Sequence, residues 1–234
     1  MTLYLIPTPI ADDGLHTLPA NTADVARRLD FFIVERAKTA RHFIKSLGPA
    51  RPIQAMTFVE IGEKDTSEAE NALREAIRTG RDVGLLSEAG CPGVADPGAG
   101  IVALAHREGV RVVPLVGPSS LLLALMASGM NGQRFAFHGY LSPKRPELAR
   151  DLRRLEQLAE RNDQTQLFIE TPYRSQMVLE TALESLLPDT QFAVCQDLTG
   201  AAEFVRSLRV AEWRKTGRVE LGKSPAVFLV FRQK

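Results

Sequence analysis

Val83–Ser120, VGLLSEAGCPGVADPGAGIVALAHREGVRVVPLVGPSS, reads as two strands that each run out into a Gly/Pro loop. Val83 to Leu86 is short and apolar, bounded by Arg81-Asp82 and by the polar run from Ser87 to Gly93, which marks a strand buried on both faces. Asp96-Pro97 offers an N-cap followed by proline at the first helical position, and the helical pattern of Ala99 to Arg107 stops at Gly109. Val110 to Leu115 is a second strand, rich in β-branched residues, and Gly117-Pro118-Ser119-Ser120 turns it into the apolar helix Leu121 to Ser128. This alternation implies parallel pairing, with both loops on the carboxyl edge of one sheet. A single loop of this kind is most simply a tight turn. Two neighbouring ones favour a ligand, because glycine lets backbone approach closely and helix starts present free N–H groups.

Upstream, Leu3 to Ile6 is an apolar strand closed by Pro7-Thr8-Pro9, followed by a polar loop from Ala11 to Asn21. Helices are predicted at Thr22–Leu29, Thr39–Leu47 and Ser67–Arg78, the last stopped by Gly80; strands are predicted at Phe31–Val34 and Ile53–Val59. Downstream, strands are expected at Arg134–His138, Gln166–Ile169, Gln191–Asp197 and Ala226–Phe231. Helices are expected at Glu147–Glu160 and Arg174–Leu187 and near Val210–Thr216. The expected fold class is α/β, with a mostly parallel N-terminal domain over residues 1–116 and a C-terminal domain with a mixed sheet over residues 117–234. With no low-complexity linker between them, the two are expected to flank a shared ligand cleft.

Composition sets outer bounds. The chain has 234 residues, 44% of them hydrophobic, enough for real cores. Its 29 Lys and Arg against 28 Asp and Glu leave a net charge of +1, so nucleic acid could be attracted only by a local patch. Two clusters qualify: Lys144, Arg145, Arg150, Arg153 and Arg154, interrupted by Glu147, Asp151 and Glu156; and Arg206, Arg209, Arg214, Lys215 and Arg218. Both also read as ordinary solvated helix faces. Cys91 and Cys195 are far apart and lack metal-ligand spacing, so neither a metal nor a disulfide framework is expected. No apolar run approaches the length of a membrane span and no signal-peptide pattern opens the chain; a cytoplasmic protein without a membrane partner is the expectation.

Four segments in order, LYLIPTPI (3–10), SEAGCPGVADPG (87–98), GVRVVPLVGPSS (109–120) and FAFHGYLSPK (135–144), resemble the S-adenosylmethionine-dependent tetrapyrrole methylase superfamily, and within it the ribosomal RNA small-subunit 2′-O-ribose methyltransferase I branch. The resemblance runs from Leu3 to about Phe231. It implies S-adenosyl-L-methionine as cofactor, held between two α/β domains largely by backbone groups, and a homodimer. Matched motif by motif, it places Ser87, Glu88, Ala89, Gly90, Cys91 and Pro92 against the methionine part, with Val94, Asp96 and Gly98 close by and Pro118, Ser119 and Ser120 on the neighbouring loop. From the C-terminal domain it implies Phe137, Gly139, Tyr140, Leu141, Thr171, Pro172, Tyr173, Leu198, Thr199, Lys223 and Pro225 near the adenosine. Each lies at or beside a polar or Gly/Pro break in an apolar strand. Simpler roles compete for some: Asp96 as a helix cap, Tyr173 with Arg174 as a helix start, His138 as a hydrogen-bonded strand end, and Cys91 as a small filler.

The likeness breaks down on the acceptor side. The ribosomal branch usually reads Glu-Asp-Thr-Arg-His after the second strand, where this chain has Glu35-Arg36-Ala37-Lys38-Thr39. Phe58 to Asp65 likewise replaces a histidine- and asparagine-containing segment. Methyl transfer from a sulfonium requires alignment and water exclusion more than covalent help, whereas a ribose hydroxyl gains from a general base. Glu35, Lys38, Glu60 and Lys223 are the candidates, and the sequence does not choose among them. The acceptor implied is RNA of the small ribosomal subunit. A small molecule such as a tetrapyrrole, or a donor-binding module without catalysis, remain alternatives.

Overall fold

The computed structural model describes residues 1–62 and 65–233. The chain divides into two compact units, Met1–Ser119 and Ser120–Lys234.

In the first unit, β1 (Thr2–Ile6) lies inside a five-stranded sheet with β2 (Phe31–Val34), β3 (Thr57–Glu60), β4 (Val83–Leu86) and β5 (Arg111–Pro114), in the order β3-β2-β4-β1-β5. Every pairing is parallel. The alternating strand faces build two cores. Ile6, Phe32, Val34 and Leu86 pack with residues of α1 (Ala20–Arg28) and α2 (Ala37–Ser46). Leu3, Ile33 and Leu85 pack with residues of α3 (Ser67–Thr79) and α4 (Ala99–Arg107). A Cβ at Gly84 would lie 2.7 Å from the Phe32 ring and 2.9 Å from Ile6 Cδ1, so the sheet centre is filled by its neighbours' side chains.

Several expectations need correction. β4 and β5 do not pair with each other, because β1 inserts between them, which adds a third strand exit to the loop pair read from sequence. Asp96-Pro97 does not start a helix. α4 begins at Ala99 after Gly98, whose φ of +124° and a virtual Cβ contact of 3.1 Å to Leu85 favour glycine. The strand expected from Ile53 is a 3₁₀ turn at Ile53–Ala55 followed by β3 at Thr57, because Pro52 fixes the turn and its carbonyl accepts from Ala55 N–H at 2.9 Å. The polar loop before α1 contains a 3₁₀ turn at Gly14–Thr17, and α1 and α2 each start two residues early, at Ala20 and Ala37.

The second unit has α5 (Ser120–Ser128), β6 (Phe135–Tyr140), α6 (Arg145–Asn162), β7 (Thr165–Glu170), α7 (Pro172–Ser185), β8 (Gln191–Gln196), β9 (Phe204–Arg209), α8 (Val210–Trp213) and β10 (Ala226–Phe231). Its sheet runs β6-β7-β10-β8-β9; only β6 and β7 pair in parallel, so it is mixed as expected. β9 was not anticipated. Its FVRSLR run carries two arginines and forms an edge strand on β8, and the last helix shrinks to the single turn α8. Phe168 stacks on Phe228 at 5.2 Å, and Trp213 donates its indole N–H to Phe192 O at 2.7 Å. Glu156 does not interrupt a basic surface. It is buried, accepting from Leu187 N–H at 2.8 Å and from the Thr190 hydroxyl.

Candidate functional site

In a parallel sheet every strand ends on one edge, so the first unit gathers the β3, β2, β4, β1 and β5 exits in that order. Thr8 and Gly90 bridge two of them through a pair of backbone hydrogen bonds. Cys91 Sγ lies 3.5 Å from Pro118 O, its acceptor, which joins the third exit to the same place. Ser87, Gly90, Cys91 and Pro118, each read from sequence as donor-binding, therefore do come together. Gly117 is sterically required: a Cβ there would lie 2.3 Å from Pro7 Cβ. Thr8, which sequence reading treated only as part of a strand stop, is a member of this cluster; its sole signal was the Pro-Thr-Pro exit.

Carboxylates crowd the same edge. Glu88 N–H donates to Glu35 Oε2 at 3.2 Å, Ala37 N–H donates to Glu60 Oε1 at 2.6 Å, and the Thr39 hydroxyl donates to Glu88. Glu60 thus satisfies the first N–H of α2 from outside the helix, which explains the early start at Ala37. Burial pushes the Asp96 carboxyl up to about 6, with Glu35 and Glu88 adding repulsion and a Ser87 hydrogen bond offsetting part of it. Burial and then Asp96 raise the Cys91 thiol, which disfavours the nucleophilic thiolate. Of the four candidate bases, Glu35 and Glu60 are engaged by backbone N–H groups; Lys38 and Lys223 are exposed. Glu63 and Lys64 of the altered Phe58–Asp65 segment lie outside the described residues.

The residues named from the sequence in the second unit also share an edge. Ala226, the first residue of β10, pairs with Glu170 on one side and Gln196 on the other, and β6 leaves parallel to β7. Arg174 pairs with buried Glu170 at 2.7 Å and donates to Ser142 O at 3.0 Å, tying the β6 exit to the start of α7. Thr171 N–H donates to Glu170 Oε1 at 2.7 Å. Across the edge, Gln196 Oε1 accepts from Gly222 N–H at 2.7 Å and Gln196 Nε2 donates to Gly222 O at 3.0 Å, which clasps the 222–225 turn to the β8 exit. Gln196 was missed in the sequence, where it was one polar residue closing an apolar strand. Asp197 and Thr199 both take the left-handed conformation (φ +51° and +69°), an uncommon one for these residue types. The buried Thr199 hydroxyl has no hydrogen-bond partner among the described residues. A polar ligand at this edge would find the Thr199 hydroxyl as a hydrogen-bond partner. Leu141 and Leu198 are buried, Phe137 is half-buried, and Gly139 (φ +64°) sits at a register shift in β6. Tyr140 is exposed and Tyr173 is 97% exposed, so neither is enclosed by its own unit.

Residues 2–213 match the family described as Tetrapyrrole (Corrin/Porphyrin) Methylases. The chain belongs to that family. Family membership makes it a methyltransferase dependent on S-adenosylmethionine, in agreement with the sequence reading. A curated relative from Leptospira biflexa, "Ribosomal RNA small subunit methyltransferase I", is 33% identical over 87% of this chain and 80% of its own length. The protein of the same name from Bacillus subtilis is 31% identical over 87% of this chain and 66% of its own. Among solved structures, uroporphyrin-III-C-methyltransferase from Thermus thermophilus superposes with a TM-score of 0.58 at 19% identity, covering 98% of this chain and 94% of that one. A form of that enzyme complexed with S-adenosyl homocysteine gives 0.55 at 17% identity, covering 99% and 98%. Among the described residues no three His, Cys, Asp or Glu side chains group to hold a metal, and no helix is long and apolar enough to cross a membrane.

Proposed function

We propose that the chain methylates a ribose 2′-hydroxyl in RNA of the small ribosomal subunit, in the cytoplasm. The observation that carries this reading is the 33% identity, over 87% of the chain, to a relative named for that RNA. In this reading Ser87–Pro92, with Pro118 to Ser120, hold the methionine part of the donor, and Thr171, Leu198, Thr199 and the turn at 222–225 hold its adenosine. The bound donor supplies a methyl group on a positively charged sulfur. The protein's own task is to place the acceptor oxygen in line with it and keep water out. Carboxylates suit a hydroxyl acceptor, because they accept its hydrogen bond and favour loss of its proton. A carboxylate-rich porphyrin acceptor would instead call for arginines where Glu35, Glu88 and Asp96 gather, and this disfavours the small-molecule alternative. Homodimerisation belongs to the same proposal, supported by Met126, which α5 leaves 77% exposed.

The deciding experiment supplies methyl-labelled donor with small ribosomal subunits, free small-subunit RNA and uroporphyrinogen in parallel, then digests the RNA to nucleosides. Label in a 2′-O-methyl nucleoside is the expected result. Label only in the porphyrinogen, or in none of the acceptors, rejects the proposal.

A further inference from the structure

The face of α2 that the core does not use carries four basic residues beside the uncharged Thr39 and Ser46. Ala37, Ala40, Phe43 and Ile44 point inward, whereas Lys38, Arg41, His42 and Lys45 are exposed. Their spacing of three, four and seven residues puts them on one face, and Lys38 to Lys45 spans about 10 Å, the rise of about three stacked nucleotides. No acidic residue occurs in the helix. Beyond its C-terminal end lies a hollow of about 650 Å³, lined by Arg41, His42, Lys45 and Gln54 and by Arg51 on the following loop, with no carboxylate among the described residues of its wall.

The charges are held to different degrees. Arg51 is tied to Asp30 at 2.5 Å, and the exposed Arg41 lies over the Phe58 ring at 5.3 Å, a cation–π contact that holds its guanidinium in place. His42 and Lys45 make no side-chain hydrogen bond or ion pair among the described residues. The other end of the helix begins at Arg36, 4.0 Å from Glu88, on the edge where the carboxylates gather. One cationic track therefore leads away from the proposed acceptor edge and ends in an open hollow.

We propose that the exposed face of α2 and the hollow at its end bind the phosphate backbone of the acceptor RNA beside the nucleotide to be methylated. The inference rests on the RNA reading above and adds to it where the strand runs. Such a contact is independent of sequence and holds the strand in register, while the reacting ribose is selected at the sheet edge. Charge removed from the track weakens RNA binding and flattens its salt dependence, and leaves donor binding alone.

The test is fluorescence anisotropy of a labelled 20-nucleotide polyuridylate with the full chain, between 50 and 200 mM salt. Arg41→Gln with Lys45→Gln should weaken binding about tenfold at the low end and reduce the log–log salt slope by about 1.4, the value for two single-strand phosphate contacts. The same two-charge change on α6, Arg150→Gln with Arg153→Gln, should stay within about twofold. Lys45→Gln alone, whose side chain supports nothing in the fold, should reduce the slope by about 0.7. Equal losses from both pairs, an unchanged slope, or no RNA binding by the parent protein overturns the proposal. Stoichiometric micromolar binding of inorganic pyrophosphate that displaces the RNA does so as well, by assigning the hollow to a small anion. Methyl incorporation into small-subunit RNA is read separately: incorporation with unaltered binding in the variants rejects this surface alone, and no incorporation removes the acceptor reading together with it.

Discussion

Thr8 and Gly90 exchange backbone hydrogen bonds in both directions, Thr8 N–H to Gly90 O at 2.9 Å and Gly90 N–H to Thr8 O at 3.0 Å. Their strands are already paired in parallel, so this antiparallel bridge turns two independent loops into one rigid rim. Gly90 holds φ +78° to make it, and a Cβ there would touch Ile10 at 3.4 Å. The rim's shape is thus set by backbone, and side-chain changes on it should alter contacts before they alter geometry.

Gly117→Ala tests the third loop of that rim. The added methyl would lie 2.3 Å from Pro7 Cβ and 2.7 Å from Pro7 Cγ, and neither loop is a flexible side-chain end. Overpacking of this kind costs about 1–3 kcal/mol. Urea unfolding should show that loss, and calorimetry should show weaker binding of S-adenosylhomocysteine. Unchanged affinity for that ligand would mean that the loop after β5 takes no part in holding it.

Asp96→Asn tests the crowded carboxylates through pH. The folded-state value of about 6 stands above the ordinary value, so folding favours the protonated acid. Below about pH 4 the group is protonated in both states and costs nothing; as pH rises from 4 through 6 the native state loses stability, and the penalty is complete above 6. A two-unit shift corresponds to about 3 kcal/mol, which solvent screening of this half-exposed group reduces to about 1 kcal/mol. The variant should therefore be more stable than the parent by about 1 kcal/mol at pH 8 and equal to it at pH 4, as measured by chemical denaturation. Equal stability at both pH values would contradict the assigned burial and repulsion.

Arg174→Ala leaves the buried Glu170 carboxylate with only the Thr171 groups as partners among the described residues. Removing one partner of a buried pair commonly costs 3–5 kcal/mol, and the partial exposure of Arg174 brings the expectation down to about 2–3 kcal/mol. Glu170→Gln combined with Arg174→Met should recover most of it in thermal and urea melts. A single variant as stable as the parent would show that the pair is not what fixes the β6 exit to α7.

Arg36→Ala with Lys38→Ala separates donor from acceptor. The Arg36 to Glu88 contact is long and exposed, worth little to stability. Donor affinity should remain within about threefold, under 1 kcal/mol, while methyl transfer at subsaturating acceptor should fall clearly. An undiminished transfer rate would falsify a substrate-reading role for this segment.

The first unit was legible in sequence wherever a short apolar run was fenced by charged or polar residues, as at Phe31–Val34 between Asp30 and Glu35 and at Val83–Leu86 between Asp82 and Ser87, since both predicted strands have the observed bounds. β9 escaped because an edge strand needs only one apolar face, and its arginines hid the alternation. The donor loops could be recognised because their glycines and prolines are local signals. The meeting of Glu35, Glu88 and Asp96 could not, since it depends on which strands are neighbours, and no local pattern records that order. Glu156 failed for a related reason: its helix face looks polar until Leu187 and Thr190 fold against it.

The position of β1 bears on how the chain assembles. Leu3 pairs with Val83 on one side and Val112 on the other, so β1 precedes both of its partners in the chain, gaining the first only when β4 has followed and the second only with β5. β2 and β3 can pair before then, but the sheet closes only when β4 and β5 arrive on either side of a strand that has been waiting. At about 5–20 residues per second that wait lasts several seconds. Until then the apolar run Leu3–Ile6 lacks the neighbours that cover its two edges in the finished sheet, and an uncovered apolar strand edge is open to pairing with the wrong partner.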